Sequence, residues 1–230
     1  MLCLYVQAPF AAFRTFTAGS FRPTASFITP SAAYGLLLNL AGIEMRAPDD
    51  GQMSMTLIQG GLPPLEVALG ALSLPEQHTV FQQLHNYPVG PSGAEHAPNT
   101  KGNKYNIVPA RRAVLTGLRA YVCLRGGAEL EQRIVDGLAG KYRRYGIPFL
   151  GDSNFLPDRI DVIEQDQLQP AHWFVKVGLE GDPKLSDSVT RLTVTIDRAD
   201  MSRTASLLFC SLSEQSKGIP EPAWTTVHYS

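Results

Sequence analysis

The stretch from Pro9 to Ile43, PFAAFRTFTAGSFRPTASFITPSAAYGLLLNLAGI, carries Arg14 and Arg22 and meets no carboxylate until Glu44. It reads as an apolar strand, a turn with aromatic rings and arginines, a second extended piece, and a helix opened by Thr29-Pro30-Ser31. Five phenylalanines (Phe10, Phe13, Phe16, Phe21, Phe27) lie within it. Rings to stack on bases, cations for phosphates and the free N–H groups of a helix start are the requirements of a single-stranded nucleic-acid site. Phenylalanines beside a strand usually pack, so at least three of the five are expected in the core. Arg14 and Arg22 have no acid near them in sequence, which favours a contact with RNA.

The rest of the chain is strand-rich. Leu2–Gln7 is nearly continuous in apolar residues, as a central strand would be. The helix after Thr29 is expected to run to Leu40 and stop at Gly42. Gly35 inside it costs about 1 kcal/mol relative to alanine, which suggests that either a strand or the RNA approaches its backbone. Two strand-like runs, 52–59 and 65–72, flank Gly60-Gly61-Leu62-Pro63-Pro64. Residues 86–110 read as a long loop insertion, and 112–124 as a strand. Residues 129–145 are amphipathic, with Leu130, Ile134, Leu138 and Tyr142 on one stripe. Strand-like segments at 160–164, 173–179, 192–197 and 205–209 complete a β-rich tail. The order strand, helix, strand, strand, helix, strand predicts an α+β fold of the split βαβ, ferredoxin-like (RRM-like) kind over residues 1–165. An insertion at about 86–110 interrupts this order, and a small β-rich extension is expected over 166–230.

Composition sets the bounds. Of 230 residues, 44% are hydrophobic and 18% charged, which describes a folded chain. The longest apolar run, from Tyr34 to Ile43, is shorter than the roughly 20 residues needed to cross a bilayer, and no secretion signal is seen, so a cytoplasmic protein with no membrane partner is expected. Cys3, Cys123 and Cys210 are widely spaced within apolar segments and are expected as buried reduced thiols. No histidine or cysteine spacing suits a metal, and no cofactor is expected. The net charge of −1 is unevenly spread. Residues 1–144 hold 13 basic and 9 acidic side chains, and residues 145–230 hold 7 and 12. Residues 96–128 carry Lys101, Lys104, Arg111, Arg112, Arg119 and Arg125 and no acid. A basic segment on a nearly neutral protein predicts a confined anion site, with the acidic tail facing protein or solvent.

Three blocks in fixed order carry a family resemblance. They are Pro-Phe-Ala-Ala-Phe-Arg with Pro-Ser-Ala-Ala-Tyr-Gly-Leu-Leu and Ala-Gly-Ile inside residues 9–43; Gln83-Leu84-His85-Asn86-Tyr87-Pro88; and Gly146-Ile-Pro-Phe-Leu-Gly151 followed by Ser153-Asn154-Phe155-Leu156. Together they resemble the Cas-five family, the subunit of type I CRISPR surveillance (Cascade) complexes that holds the 5′ end of the guide RNA. The resemblance implies a RAMP-type, non-catalytic protein that binds the 5′ handle of the crRNA and caps the backbone filament. Its implied partners are the backbone subunit, the large subunit and, through the complex, target DNA. It also implies that the insertion at about 86–110 is a thumb, on which Lys101, Lys104, Arg111 and Arg112 meet phosphates and Tyr105 stacks on a base. The full expected RNA-binding set is Phe13, Arg14, Arg22, Thr24, Phe27, Ser31, Tyr34, Lys101, Lys104, Tyr105, Arg111 and Arg112. The C-terminal Trp224 is an expected anchor for a protein neighbour.

Two other functions compete. Some relatives cut precursor RNA without metal, using a tyrosine, a lysine and a histidine. Such cleavage needs a base for the 2′-OH and an acid for the leaving oxygen. His85, His96, Lys101, Lys104 and Tyr105 lie in or near the insertion, but no Lys-His pair occurs. Tyr34 and Tyr105 are loose substitutes, so catalysis is not expected. The second competitor is a protein-binding scaffold that uses the acidic tail.

Overall fold

The computed structural model describes residues 1–15, 21–48, 56–88, 105–178 and 185–229. Its frame is one large antiparallel sheet. The strands are β1 (Leu2–Ala11), β2 (Leu65–Ser73), β3 (Glu76–Pro88), β4 (Tyr105–Arg125), β5 (Arg159–Ile163), β6 (His172–Lys176), β7 (Leu185–Thr195), β8 (Ala205–Leu212) and β9 (Thr225–Val227). They lie in the order β5-β1-β4-β2-β6-β8-β7, with β3 added along β4 and β9 along β2. The two α-helices are α1 (Pro30–Leu40) and α2 (Ala128–Leu138). The protein is therefore α+β, with few helices on an extensive sheet. Strand pairing passes without a break from β2 to β6, so the segment after residue 165 widens the same sheet.

Side-chain alternation explains why the central strands look apolar throughout. Leu2, Leu4, Val6 and Ala8 of β1 point to one core with Leu118, Ala120, Val122 and Leu124 of β4. Cys3, Tyr121 and Cys123 point to a second core on the opposite face, built around Trp173, Leu168 and Trp224. Period-two alternation sends neighbours to opposite faces, so strands buried on both sides lose the usual polar half. The first core receives α1, whose Ala33, Tyr34, Leu36, Leu37, Leu38 and Leu40 are all buried. Thr29 caps α1 by accepting a hydrogen bond from the Ala32 N–H at 3.2 Å, and Pro30 occupies the first turn. The α2 helix ends earlier than its stripe predicts, at Leu138, where Gly140 turns the chain with φ +74°.

Two expectations about packing are corrected. Gly35 meets no backbone, and the nearest atom to a Cβ placed there is the Met45 Sδ at 3.7 Å. The close approach is instead at Gly137 of α2, where a Cβ would collide with the Leu40 carbonyl oxygen at the end of α1. Cys3 and Cys123 are not two separate thiols. They are directly opposed in the β1–β4 register, with Cα atoms 4.1 Å apart, and form a disulfide. Their 120-residue separation hid the pairing from any local reading. Cys210 is buried in β8, as expected.

The segment expected as a loop from residue 86 is largely strand at both ends. β2 and β3 form one arm along β4, broken only at Leu74-Pro75. The pairs Ser73–Arg119 and Glu76–Thr116 bracket that break, opposite Gly117 at φ +68°. Beyond it, β3 and the first half of β4 continue as a paired ribbon from Glu76–Thr116 out to Pro88–Tyr105, with β1 still on the other edge of β4 as far as Leu115. Proline cannot donate to a ladder and glycine accepts positive φ, so the ladder is interrupted on both strands at the same level. The strand-like run at 52–59 is partly outside the described residues, and Ile58 makes only an isolated bridge to Arg46.

Candidate nucleic-acid interface

At the root of the ribbon, three chain segments converge. The turn after β1 folds back so that Ala25 N–H donates to the Phe13 carbonyl at 2.8 Å and Arg14 bridges Thr24. Thr24 Oγ1 accepts from the Phe13 N–H at 2.9 Å and donates to the Ala25 carbonyl at 3.0 Å, closing the turn from inside. Arg22 is fastened alongside β4, with its N–H donating to the Arg111 carbonyl at 2.9 Å and its carbonyl accepting from the Ala113 N–H at 2.8 Å. The third segment is the glycine-rich loop. Gly151 takes φ +77° and lies so near the Ala12 carbonyl that a Cβ would collide with it, which delivers Asp152 to the same place.

These segments enclose an open cleft of about 230 Å³ lined by Ala12, Arg14, Thr15, Phe21, Arg22, Pro23, Arg112 and Asp152. Arg14 and Phe21 are exposed and Arg22 is half-buried. Among the described residues neither Arg14 nor Arg22 makes an ion pair. Arg112 is different. Only 5% exposed, it donates from Nη2 to Asp152 Oδ2 at 2.5 Å and lies 4.8 Å over the Phe155 ring. Burial alone would raise the Asp152 pKa, but the Asn154 N–H and the Arg112 guanidinium, helped by the charge of Arg14, outweigh it and hold the carboxyl below its usual range. With Asp152 cancelled by Arg112, the cleft keeps the two positive charges of Arg14 and Arg22.

The expected set divides sharply. Phe13 and Phe27 are core residues, and Phe27 stacks on Phe174 with ring centroids 4.3 Å apart. Phe10 and Phe21 are exposed, so two of the four described phenylalanines are buried; Phe16 lies outside the described residues. Tyr34 is fully buried and donates to the Pro63 carbonyl at 2.8 Å, and burial pushes its hydroxyl pKa upward. Ser31 is buried 3.0 Å from the Thr29 hydroxyl, so the α1 N-terminus is closed to a solvent anion. Thr24 is spent on its own turn. Arg112 is tied to Asp152 and is no outward phosphate contact. Arg111 is exposed, with its guanidinium 5.8 Å from the Phe81 ring, itself exposed. Lys101 and Lys104 lie outside the described residues, and Tyr105 is described only as the backbone start of β4. Trp224 is also corrected. It is 3% exposed, with Arg125 stacked 4.1 Å over its ring, and packs on its own protein.

Sequence reading named Phe21 among the candidate rings but left it out of the expected set, and it missed Thr15 and Asp152. Nothing in local spacing joins Asp152 to Arg14, although the glycine preceding it was a usable sign of tight backbone packing.

The family model described as CRISPR-associated protein (Cas_Cas5) matches residues 1–157. The chain belongs to the Cas5 family. All three motif blocks lie inside the matched region. Among solved structures, a chain from "CRISPR RNA-guided surveillance complex" is similar with a TM-score of 0.59 at 14% identity, covering 93% of this chain and 90% of that one. Another, "Crystal structure of Cas protein", gives a TM-score of 0.50 at 13% identity over 95% and 99% of the two chains. Those likenesses concern the fold. No curated protein matched by sequence. Among the described residues of this Cas5-family protein, no helix is long and apolar enough to cross a membrane.

Proposed function

We propose that this Cas5-family protein is a non-catalytic subunit of a type I CRISPR RNA-guided complex, binding the 5′ handle of the crRNA and capping the backbone filament. The observation that carries this reading is the cleft: two arginines that make no ion pair among the described residues and an exposed aromatic ring, gathered on a protein whose overall charge is slightly negative. Guanidinium groups suit phosphates and a ring suits a base, while a small site on a neutral protein suits one strand end better than a coated duplex. The order β5-β1-β4-β2 supports a ferredoxin-like unit, and the ribbon supports a thumb that reaches the backbone subunit.

Catalysis is not part of the reading. Of the two tyrosines weighed as substitutes in a metal-free cleavage site, Tyr34 is buried with its hydroxyl donated to the Pro63 carbonyl, which counts against its use on a 2′-OH.

The test is equilibrium binding of handle RNA across a salt series. Arg14→Ala and Arg22→Ala should each weaken binding about tenfold, the order expected of one lost charge-assisted contact, and reduce the salt slope by about 0.7. Unchanged affinity and slope in both would remove the cleft from the RNA path. Cutting of repeat RNA by the pure protein in EDTA would overturn the non-catalytic part.

A further inference from the structure

Among the described residues Asp152 is the one acid on the wall of an otherwise cationic cleft, and the backbone holds it there. Gly151 packs against Ala12 in a conformation that favours glycine, so the chain reaches the cleft at residue 152 and nowhere else in that loop. The carboxylate is then immobilised from two sides. Oδ2 accepts from Arg112, and Oδ1 accepts from the Asn154 N–H at 3.0 Å. Each carboxylate oxygen has two acceptor sites, so one on each oxygen remains after these bonds. A group that only repelled RNA would be a poor lining for a phosphate site. A fixed acceptor lining the same cleft as an exposed ring and two cations is suited to a base edge.

The geometry points to Asp152 as a specificity-determining residue: the cleft takes a single nucleotide, stacked by Phe21 and held at phosphate by Arg14 and Arg22, and Asp152 accepts a hydrogen bond from the base's exocyclic amino group. The inference rests on the proposed RNA-binding role of this cleft and adds which bases it admits. Its volume is below the roughly 300–1,000 Å³ of drug-sized pockets, which suits one base. An ionised carboxylate accepts and cannot donate. It therefore pairs with the N4 amino group of cytosine and is repelled by the O4 carbonyl that uracil presents at the same position. Because cytosine and uracil have the same ring size, stacking on Phe21 does not separate them.

The experiment is binding of 5′-phosphorylated eight-residue RNAs, all cytidine or all uridine, to the full-length protein at one fixed salt concentration. The cytidine RNA should bind at least about fivefold more tightly, the lower end of what one good base contact supplies. Asp152→Asn, whose amide can donate as well as accept, should bring the ratio near one. Because that variant also loosens Arg112, a second arm leaves the protein untouched: an RNA of N4,N4-dimethylcytidine, which lacks the donor, should fall to the uridine level. Equal binding of the cytidine and uridine RNAs by the unaltered protein would overturn the inference, as would full affinity for the dimethylated RNA. So would an Asp152→Asn variant that stays folded, by circular dichroism, and weakens both RNAs equally, since that marks a purely structural carboxylate. Arg14→Ala with Arg22→Ala separates the two layers. If it abolishes binding while the ratio in the unaltered protein is one, only the base reading fails. If it changes nothing, the cleft itself is not the RNA site.

Discussion

Arg112 shows how far a residue's type can mislead about its job. In sequence it belongs to an acid-free basic run, and that context predicts a phosphate contact. In the structure it is the most deeply buried cation described, because Asp152, forty residues away, is brought to it by the loop at Gly151. Removing one member of a buried pair strands the other, so Arg112→Ala should cost about 3–5 kcal/mol in chemical denaturation. The pair should also set the acid limit. The Asp152 carboxyl is depressed in the folded protein and returns to about 3.9 when unfolded. Its stabilising contribution is thus complete above about pH 5 and is lost as pH falls through the lowered value. Melting temperatures from pH 6 down to pH 2.5 should fall more steeply for the unaltered protein than for Asp152→Asn, with the two curves converging at the acid end. Arg14 and Arg22 went the other way: among the described residues neither makes an ion pair in space, as their acid-free neighbourhood in sequence suggested. What separated the three arginines was long-range pairing, which composition and spacing do not encode.

At the scale of elements, regular periodicity was legible and close approach was not. β1, α1, β2 and the later strands fall near their expected positions because alternation, the Thr-Pro-Ser cap and glycine stops act locally. The ribbon was read as a loop because the Pro, Gly and Asn content of residues 86–103 masked the strand pairing on either side. The glycines show the same division. Gly35 sits inside α1 with ordinary space around its Cα, so Gly35→Ala should stabilise the protein by up to about 1 kcal/mol. Gly137 has equal helix propensity but faces the Leu40 carbonyl, so Gly137→Ala should force α2 off α1 and cost about 1–3 kcal/mol. Parallel urea titrations of the two variants should move the midpoint in opposite directions. A shared direction would mean that helix propensity, not the α1–α2 crossing, decides both.

Across the whole molecule, one sheet carries a core on each face, and the disulfide joins two of its central strands. Unfolded without reductant, the protein should take up a thiol reagent at one cysteine of three by mass spectrometry, and at all three after reduction. Closing a loop of this length restricts the unfolded chain, so reduction should lower stability by up to about 4–5 kcal/mol. Three labelled cysteines in both samples would disprove the bond. The strand that carries Cys123 has a further role. β4 spans 21 residues, about 70 Å if fully extended, and its two halves lie on either side of Gly117. One half is clamped in the middle of the sheet, and the other stands in the ribbon with Arg22 fastened to its flank at Arg111 and Ala113. The cleft wall at Arg22 is thus tied by two backbone hydrogen bonds to the same strand that, past Gly117, carries Cys123 into the middle of the sheet.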